Sequence, residues 1–317
     1  MSVKYDFIVR ILTDAEIQSI LQELVDEYRR HGGRTKVNVG VLFSFVTGNK
    51  SMEVTDGYLR TLVSLEDKYI EYKKDNNLYD FTDYPRYLYD ILETYDEYIR
   101  DIDALFVDEF QDVDPIQFEI FKKVLASKKF FIGDSWQSIY EFRGADGAVF
   151  EKLKDFDMYK LKYNYRSYQE ITNYACTMYE ELIDKINFED CYIGQVKHSI
   201  ETSISCSRGY GGSVVIFDPF KSGIEIKNNV YSKIDKKDFQ TVFDDFLTKN
   251  PMVLCRTNKQ VKEIQALGHF NVSTVHQAKG LEYDNVIVVD FPISCLEDLR
   301  IAYVAITRAK DNVMIVD

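Results

Sequence analysis

Two carboxylates stand directly after a short apolar run near the middle of the chain. Residues 104–107 are apolar, as expected for a buried parallel strand, and Asp108 and Glu109 follow without a break. Adjacent carboxylates on a turn can face opposite ways, so Asp108 is suited to hold a metal, directly or through water, while Glu109 polarises an attacking water. The pair therefore suits a magnesium nucleotide.

A second strand-like segment, residues 129–132, ends in a similar way. Gly133 and Asp134 follow it, and Gln137 supplies a neutral amide able to touch a terminal phosphate. Acidic residues after an apolar run also have an ordinary explanation, because strand ends are often solvated loops. The residue types alone leave both interpretations open.

Composition limits the class of protein. The chain has 317 residues, enough for two domains, and its 45% hydrophobic and 29% charged content is typical of soluble globular proteins. A net charge of −13 argues against coating nucleic acid by electrostatics alone, so any DNA contact is expected to be a local groove. No apolar run approaches the roughly 20 residues that cross a bilayer, which favours a cytoplasmic protein without a membrane partner.

The five cysteines are widely scattered, without CxxC spacing, and the four histidines are dispersed. This pattern indicates neither a zinc site nor a disulfide framework, and buried reduced thiols are expected.

Capping residues and apolar periodicity predict the secondary structure. Thr13 and Glu16 form a capping box for a helix that ends near Gly32, and further helices are expected over residues 59–70 and 88–99. Residues 36–45 are apolar enough for a strand. The later part is predicted to contain an Asp114–Pro115 helix start, a strand at 213–217, and capping boxes at Ser167 with Glu170 and at Ser294 with Glu297.

Several stretches resemble motifs of the UvrD/Rep/PcrA group of superfamily 1 DNA helicases. They are DEFQD at 108–112, GDSWQSIYEFRGAD at 133–146, NYRS at 164–167, STVHQAKGLEYDNVIVVD at 273–290 and DLRIAYVAITRAKDNVMIVD at 298–317, in the order of the family. The resemblance implies an α/β fold with two RecA-like parallel-sheet domains. Residues 1–100 would form a helical region with the start of the first domain, 101–160 its remainder, and 161–317 a compact second domain.

The resemblance also implies a site for ATP and Mg²⁺. Asp108 would hold the metal and Glu109 orient water, with Gln137 on the terminal phosphate from the first domain, and Arg166 and Arg308 would approach from the second.

Two further residues are candidates for nucleotide binding. Glu282 resembles the family residue at the sugar of the nucleotide. Gly280 is either a turn glycine or a contact to phosphate or DNA.

Four residues are candidates for binding single-stranded DNA. Phe142, Arg143 and His276 lie in stretches that resemble the DNA-contacting motifs of the family, and an aromatic near Phe142 stacks on a base there. Trp136 stands where the family usually has an acidic residue, so a packing role is the alternative to DNA contact.

Two family features are not recognisable. The phosphate-loop motif GxxxxGK[ST] does not occur, and in the nearest string, TGNKS at 47–51, another residue separates the glycine from the lysine. In larger family members a domain-sized insertion precedes the STVHQAKGLE motif, and here only a short link at about 268–271 stands in its place. The first domain is therefore expected to be incomplete at its N-terminus.

Three hypotheses follow from this pattern. The first is an ATP-dependent 3′ to 5′ single-stranded DNA translocase or helicase whose Walker A phosphate loop comes from elsewhere, for example a protein subunit. The second is a non-hydrolysing DNA-binding or regulatory subunit, and the third is an ATPase unconnected with DNA. The pathway, whether repair, replication, recombination or defence, stays open.

Overall fold

The protein divides into two compact units. The structure is a computed structural model that describes residues 10–48, 54–94, 102–141, 145, 148–183, 204–217, 222–289 and 291–316. The first unit comprises Met1–Gly133 and Tyr140–Phe150, and the second comprises Asp134–Ile139 and Glu151–Asp317. The short segment Asp134–Ile139 thus belongs to the second unit, although it lies within the sequence expected to complete the first domain.

The N-terminal part of the first unit is helical, as predicted. Its helices are α1 (Asp14–Arg30), α2 (Val39–Val46), α3 (Asp56–Asp75) and α4 (Asp83–Thr94). The predicted capping box of α1 is confirmed, since the Thr13 and Glu16 side chains each accept from the backbone N–H of the other. Apolar faces of α1, α2 and α3 enclose one core that includes the fully buried Leu21, Leu42 and Leu62.

The predicted strand at residues 36–45 is wrong, because this segment forms α2. The Asn38 side chain accepts from the N–H groups of Gly40 and Val41 at 2.8 and 3.3 Å, which caps a helix start. Short apolar runs do not by themselves distinguish strand from helix, and Leu42 and Phe45 reach the core only with helical spacing.

A buried polar cluster holds the chain between α3 and α4. Lys73 Nζ donates to Asp80 at 2.9 Å and to Asp83 at 2.7 Å, and the Tyr69 hydroxyl donates to Asp80 at 2.8 Å. Between these residues, β2 (Leu78–Tyr79) pairs in parallel with β1 (Arg10–Ile11). Lys73 is only 4% exposed and Asp80 1%, so the two charges satisfy each other away from water.

The first unit also contains a two-stranded parallel sheet. In it β3 (Ile102–Val107) pairs with β4 (Ala126–Phe131), and α5 (Pro115–Lys123) connects the strands. The predicted Asp114 cap of α5 is confirmed, with Gln117 completing a capping box. One face of the sheet carries Phe106 and Phe130, whose rings stack at 4.6 Å and are 64% and 42% exposed.

A larger sheet is the centre of the second unit. Its order is β11–β10–β12–β13–β7–β8–β9, in which the first five strands are parallel and the last two form antiparallel pairs. The strands are β7 (Ser213–Phe217), β8 (Gly223–Lys227), β9 (Val230–Ile234), β10 (Met252–Cys255), β11 (Asn271–Thr274), β12 (Tyr283–Val289) and β13 (Ala309–Val316). The expected mixed α/β architecture with parallel sheets is confirmed.

The second unit also has several helices and a short additional strand pair. The helices are α6 (Gln169–Ile183), α7 (Phe239–Thr248), α8 (Asn258–Leu267), α9 (Val275–Ala278) and α10 (Leu296–Ile306). The strand pair is formed by β5 (Tyr163–Asn164) and β6 (Ser205–Cys206).

The two capping boxes predicted for α6 and α10 are wrong. The Ser167 hydroxyl donates to the Ala309 carbonyl at 2.7 Å, and Glu170 accepts from the backbone N–H of Asn228 at 2.9 Å. These long-range contacts take the side chains away from the start of α6, which begins at Gln169. At the start of α10, the Ser294 hydroxyl donates a hydrogen bond to the Asp298 carboxylate at 2.6 Å.

Within the described residues, Cys176, Cys206, Cys255 and Cys295 are free thiols. Across the same ranges, none of the helices combines the length and the apolarity that crossing a bilayer requires.

Candidate nucleotide and nucleic-acid site

The acidic pair lies where β3 ends in the first unit. Asp108 and Glu109 are both exposed, and Asp108 accepts from the Glu109 N–H at 2.9 Å. Glu109 has a φ of +51°, a left-handed conformation that non-glycine residues rarely adopt and that costs free energy. The acidic pair therefore lies on an exposed turn directly after β3.

Gln111 was not among the residues predicted from the sequence, yet it holds the catalytic candidate Glu109. Its side-chain amide donates to the Glu109 carboxylate, and Gln111 is only 1% exposed. The other end of the amide lies against Gly133, where a Cβ would stand 2.1 Å from Gln111 Oε1. The only sequence signal was the polar fourth position of DEFQD, which gives no indication of a contact with Gly133.

The acidic pair suits a magnesium ion whose other ligands are water molecules and phosphate oxygens. Within the described residues, no cluster of three His, Cys, Asp or Glu side chains could enclose a metal. Mg²⁺ is commonly held by one or two carboxylates together with phosphate oxygens and water, and Asp108 with Glu109 offers that donor set.

A second group of candidates surrounds the segment Asp134–Ile139 in the second unit. Asp134 accepts from the Trp136 N–H at 3.0 Å and from the Gln137 amide at 2.9 Å, which fixes this short turn. Lys279 Nζ donates to the Gln137 carbonyl at 2.8 Å, and His276 Nε2 lies 3.1 Å from the Ile139 carbonyl. Both partners come from the stretch that follows β11.

Arg308 completes this group from the turn between α10 and β13. It is 1% exposed, and its guanidinium donates to the carbonyls of Val304 and Leu281 at 3.1 and 3.3 Å. It also donates to Gln137 Oε1 at 3.0 Å. A buried guanidinium with an acceptor for each of these N–H groups has a fixed orientation.

Gln137 is expected from the resemblance to come from the first domain, but in the structure it belongs to the second unit. The physical reason is that its side chain and backbone oxygens accept from Arg308 and Lys279. Sequence order does not reveal this assignment.

Arg166 lies beside Glu282 and Thr307. Its Nε donates to the Glu282 carboxylate at 3.0 Å, and its Nη1 donates to the Thr307 carbonyl at 3.3 Å. Lys310 Nζ binds Asp284 at 2.7 Å, and that hydrogen bond raises the Lys310 pKa above its ordinary value. The structure thus brings together Arg166 and Glu282, two of the predicted nucleotide ligands.

Gly280 has a φ of +80°, and a Cβ added to it would meet nothing within 4 Å. The left-handed backbone therefore explains why glycine stands here, as the turn interpretation expects.

Trp136 is a packing residue in this structure. Its ring is 7% exposed, stacks on Tyr179 at a centroid distance of 4.1 Å, and meets the Tyr303 ring edge-on at 5.1 Å. Because the indole is buried between these neighbours, the predicted DNA contact is replaced by the packing alternative. The other two DNA candidates of this stretch, Phe142 and Arg143, lie outside the described residues.

Two family models match the chain. The UvrD/REP helicase N-terminal domain matches residues 16–157, and the UvrD-like helicase C-terminal domain matches residues 265–316. These ranges include the acidic pair, the Gln137 segment, Glu282 and Arg308. The chain belongs to the UvrD-like family of superfamily 1 helicases.

Similar proteins carry helicase names and are longer. A "Probable DNA helicase" of Mycoplasma pneumoniae is 28% identical over 281 residues, which is 78% of this chain and 50% of that protein. A helicase/nuclease subunit of Natranaerobius thermophilus, named as ATP-dependent, is 33% identical over 123 residues, 33% of this chain and 10% of that protein. The "Exonuclease/helicase subunit RexA" of Lactococcus lactis is 29% identical over 171 residues, 50% of this chain and 14% of that protein. The matched part is at most half the length of these three relatives.

Proposed function

We propose that this chain is the motor part of an ATP-dependent single-stranded DNA translocase or helicase that moves 3′ to 5′. The observation that carries the proposal is the hydrogen bond from Arg308 Nη2 to Gln137 Oε1 at 3.0 Å, with Lys279 on the Gln137 backbone. Three separate stretches that resemble helicase motifs meet at this point. Both side chains are of types that recognise a terminal phosphate.

The residues of the first unit would serve the metal and the water. Asp108 would hold Mg²⁺ of the nucleotide, directly or through water, and Glu109 would orient a water molecule and accept its proton. The Gln111 amide holds the Glu109 carboxylate in one orientation. Mg²⁺, when bound, supplies positive charge at the phosphate oxygens.

The residues of the second unit would serve the phosphates and the nucleoside. Arg166 and Arg308 contribute positive charge, which is the main requirement for stabilising phosphoryl transfer. Gln137 touches the terminal phosphate, and Glu282 binds the sugar. Because Gln137 and Arg308 are hydrogen-bonded to each other, binding of a phosphate by either residue would change the environment of the other.

Single-stranded DNA is the proposed track. His276 is half-buried beside the segment that contains Gln137. The other DNA-binding candidates, Phe142 and Arg143, follow that segment in the sequence. With a net charge of −13, the chain would bind DNA through such a local site. The division into two compact units, with Asp134–Ile139 in the second, supports the proposal of a pair of RecA-like domains.

The proposal requires a phosphate loop from outside residues 1–317, for example from a protein subunit. The sequence contains no GxxxxGK[ST], and two of the relatives are named as subunits. The same missing motif favours a second candidate function, a DNA-binding or regulatory subunit that does not hydrolyse ATP, because a phosphate cradle needs the loop amides and lysine.

The deciding experiment is ATP hydrolysis by the assembled enzyme, that is, the chain together with the source of its phosphate loop, with and without oligo(dT). Glu109→Gln tests the site, and Glu119→Gln, at a half-exposed position of α5 where the side chain pairs with Lys122, is the matched control. DNA-stimulated turnover that disappears only in Glu109→Gln would support the motor. Absence of turnover with oligo(dT) binding that is indifferent to ATP would overturn it in favour of the binding subunit.

A further inference from the structure

A short segment before β5 exposes an unusual amount of apolar surface. Residues 158–163, MYKLKY, precede and enter β5 in the second unit, and we call them the tyrosine–lysine strip. The exposed fractions are 72% for Met158, 87% for Tyr159, 91% for Leu161 and 64% for Tyr163. Single exposed apolar residues are common in soluble proteins, but a contiguous group of this size indicates a binding surface.

The strip is attached to the rest of the second unit at its C-terminal end. Ser205 N–H donates to the Lys162 carbonyl at 3.1 Å, and β5 and β6 pair through Tyr163–Asn164 and Ser205–Cys206. Residues 158–161 belong to neither a helix nor a strand. The exposed side chains of the strip therefore lie next to a segment that the β5–β6 pair holds in place.

Charge and residue type indicate the ligand. Lys160 and Lys162 alternate with Tyr159, Leu161 and Tyr163, and the strip contains no acidic residue in a chain of net charge −13. Single-stranded nucleic acid combines phosphates, which lysines attract, with flat bases, which stack on tyrosine rings. A β-strand of a partner protein would also contact the apolar residues, but it would not require that both charged residues of the strip be lysines.

We propose that the tyrosine–lysine strip is an additional contact for single-stranded DNA, separate in sequence from Phe142, Arg143 and His276. Tyr159 and Tyr163 stack on bases, and Lys160 and Lys162 lie along the phosphates. The choice of DNA as the ligand rests on the proposed function. The strip itself rests on the exposure and charge of its own residues.

The test is fluorescence anisotropy of labelled oligo(dT) with the full chain at low salt and without nucleotide. Tyr159→Ala and Lys160→Gln test the strip, while Tyr231→Ala and Lys233→Gln change exposed residues of the same types on β9 of the same unit. Stacking on one base corresponds to about a 5-fold or greater loss of affinity for Tyr159→Ala. Lys160→Gln is expected to reduce the salt dependence by about 0.7 in the log–log slope, the value for one phosphate of a single strand.

Each outcome decides a different question. If the parent binds oligo(dT) and the strip variants bind as the β9 controls do, the strip is overturned and the proposed function stands. If the parent does not bind oligo(dT) at low salt, both are overturned. If the parent forms dimers that Leu161→Lys dissociates, with unchanged oligo(dT) affinity, the strip is a protein interface and the DNA proposal is wrong.

Discussion

Arg308 donates to Gln137 at 3.0 Å across 171 positions of sequence, and the two side chains orient each other within the second unit. Neither residue depends on the other for its secondary structure, because Gln137 lies in a short turn and Arg308 follows α10. Their contact therefore joins two stretches that only the tertiary structure brings together.

Replacing Gln137 tests the contribution of this contact to stability. Gln137→Ala removes an acceptor from a guanidinium that is 1% exposed, and a lost hydrogen bond to a buried charge costs about 1.5 to 3 kcal/mol. We expect a loss of that size in the free energy of unfolding, measured with urea. Gln240→Ala, at an exposed position of α7, is the control and should change it by less than about 0.5 kcal/mol. Equal effects for the two variants would contradict a structural role for the contact.

Gly133 is expected to be intolerant of a side chain. A Cβ there would lie 2.1 Å from Gln111 Oε1 and 3.0 Å from the Phe110 backbone nitrogen, so the amide that holds Glu109 must move. We expect Gly133→Ala to lower the free energy of unfolding by about 1 to 3 kcal/mol, as for other overpacked sites.

The control for Gly133 is Gly57→Ala in the first turn of α3, where a Cβ would meet nothing within 4 Å. Because alanine favours a helix, this change should be neutral or stabilising by up to about 1 kcal/mol. A Gly133→Ala variant as stable as Gly57→Ala would show that Gln111 can rearrange freely.

The buried cluster around Lys73 should make the first unit sensitive to acid. Burial by itself raises the pKa of Asp80, but hydrogen bonds from Lys73 and Thr82 more than offset it, and the net pKa is lowered. A carboxyl whose pKa is lower in the folded state contributes stability above its unfolded pKa, and that contribution is lost as the pH falls through the folded pKa. The free energy of unfolding should therefore decrease below about pH 4, the ordinary range of an aspartate.

Removing the cation of this cluster tests the same interpretation. Lys73→Met leaves Asp80 buried without its main partner, and breaking a buried pair in this way costs about 3 to 5 kcal/mol. Urea unfolding at several pH values should show the largest loss near neutral pH, where Asp80 is charged. A constant loss down to pH 3 would mean that packing of the lysine stem, and not its charge, matters.

Glu282 and Arg166 should matter for nucleotide binding more than for stability. Their side chains are 50% and 32% exposed, and solvent-exposed ion pairs contribute only about 0 to 1 kcal/mol. We expect Glu282→Gln to leave the urea midpoint nearly unchanged but to weaken binding of a fluorescent ATP analogue to the assembled enzyme. Glu263→Gln, on the exposed face of α8, provides the comparison, and equal affinities would argue against a sugar contact.

Local signals predicted much of the fold, and long-range contacts explain the exceptions. The capping box of α1 and the Asp114 cap of α5 use residues at most three positions apart, so both depend on local sequence alone. Ser167 and Glu170 have the same spacing but bind Ala309 and Asn228, which are distant in sequence. The α2 segment was ambiguous because an apolar run suits either a strand or a helix until the core is known.

The candidate site shows the same division. The apolar run before them predicts Asp108 and Glu109 as site residues, motif resemblance predicts Arg308, and the structure supplies the surroundings of all three. Gln111 could not be recognised because its contact with Gly133 depends on the pairing of β3 with β4. The burial of Trp136 depends on Tyr179 and Tyr303, which come from two other helices.

The stacked pair Phe106 and Phe130 has a practical consequence for measurements of stability. Parallel strands are normally covered on both faces, whereas this ring pair faces solvent beside the backbone of a two-stranded sheet. Such a surface is where chains adhere to one another when the protein is warmed and the strand edges open. A thermal melt would then measure the rate of precipitation and not an equilibrium stability. The free energy of unfolding of the first unit is better measured with denaturant at low protein concentration, where unfolding is reversible.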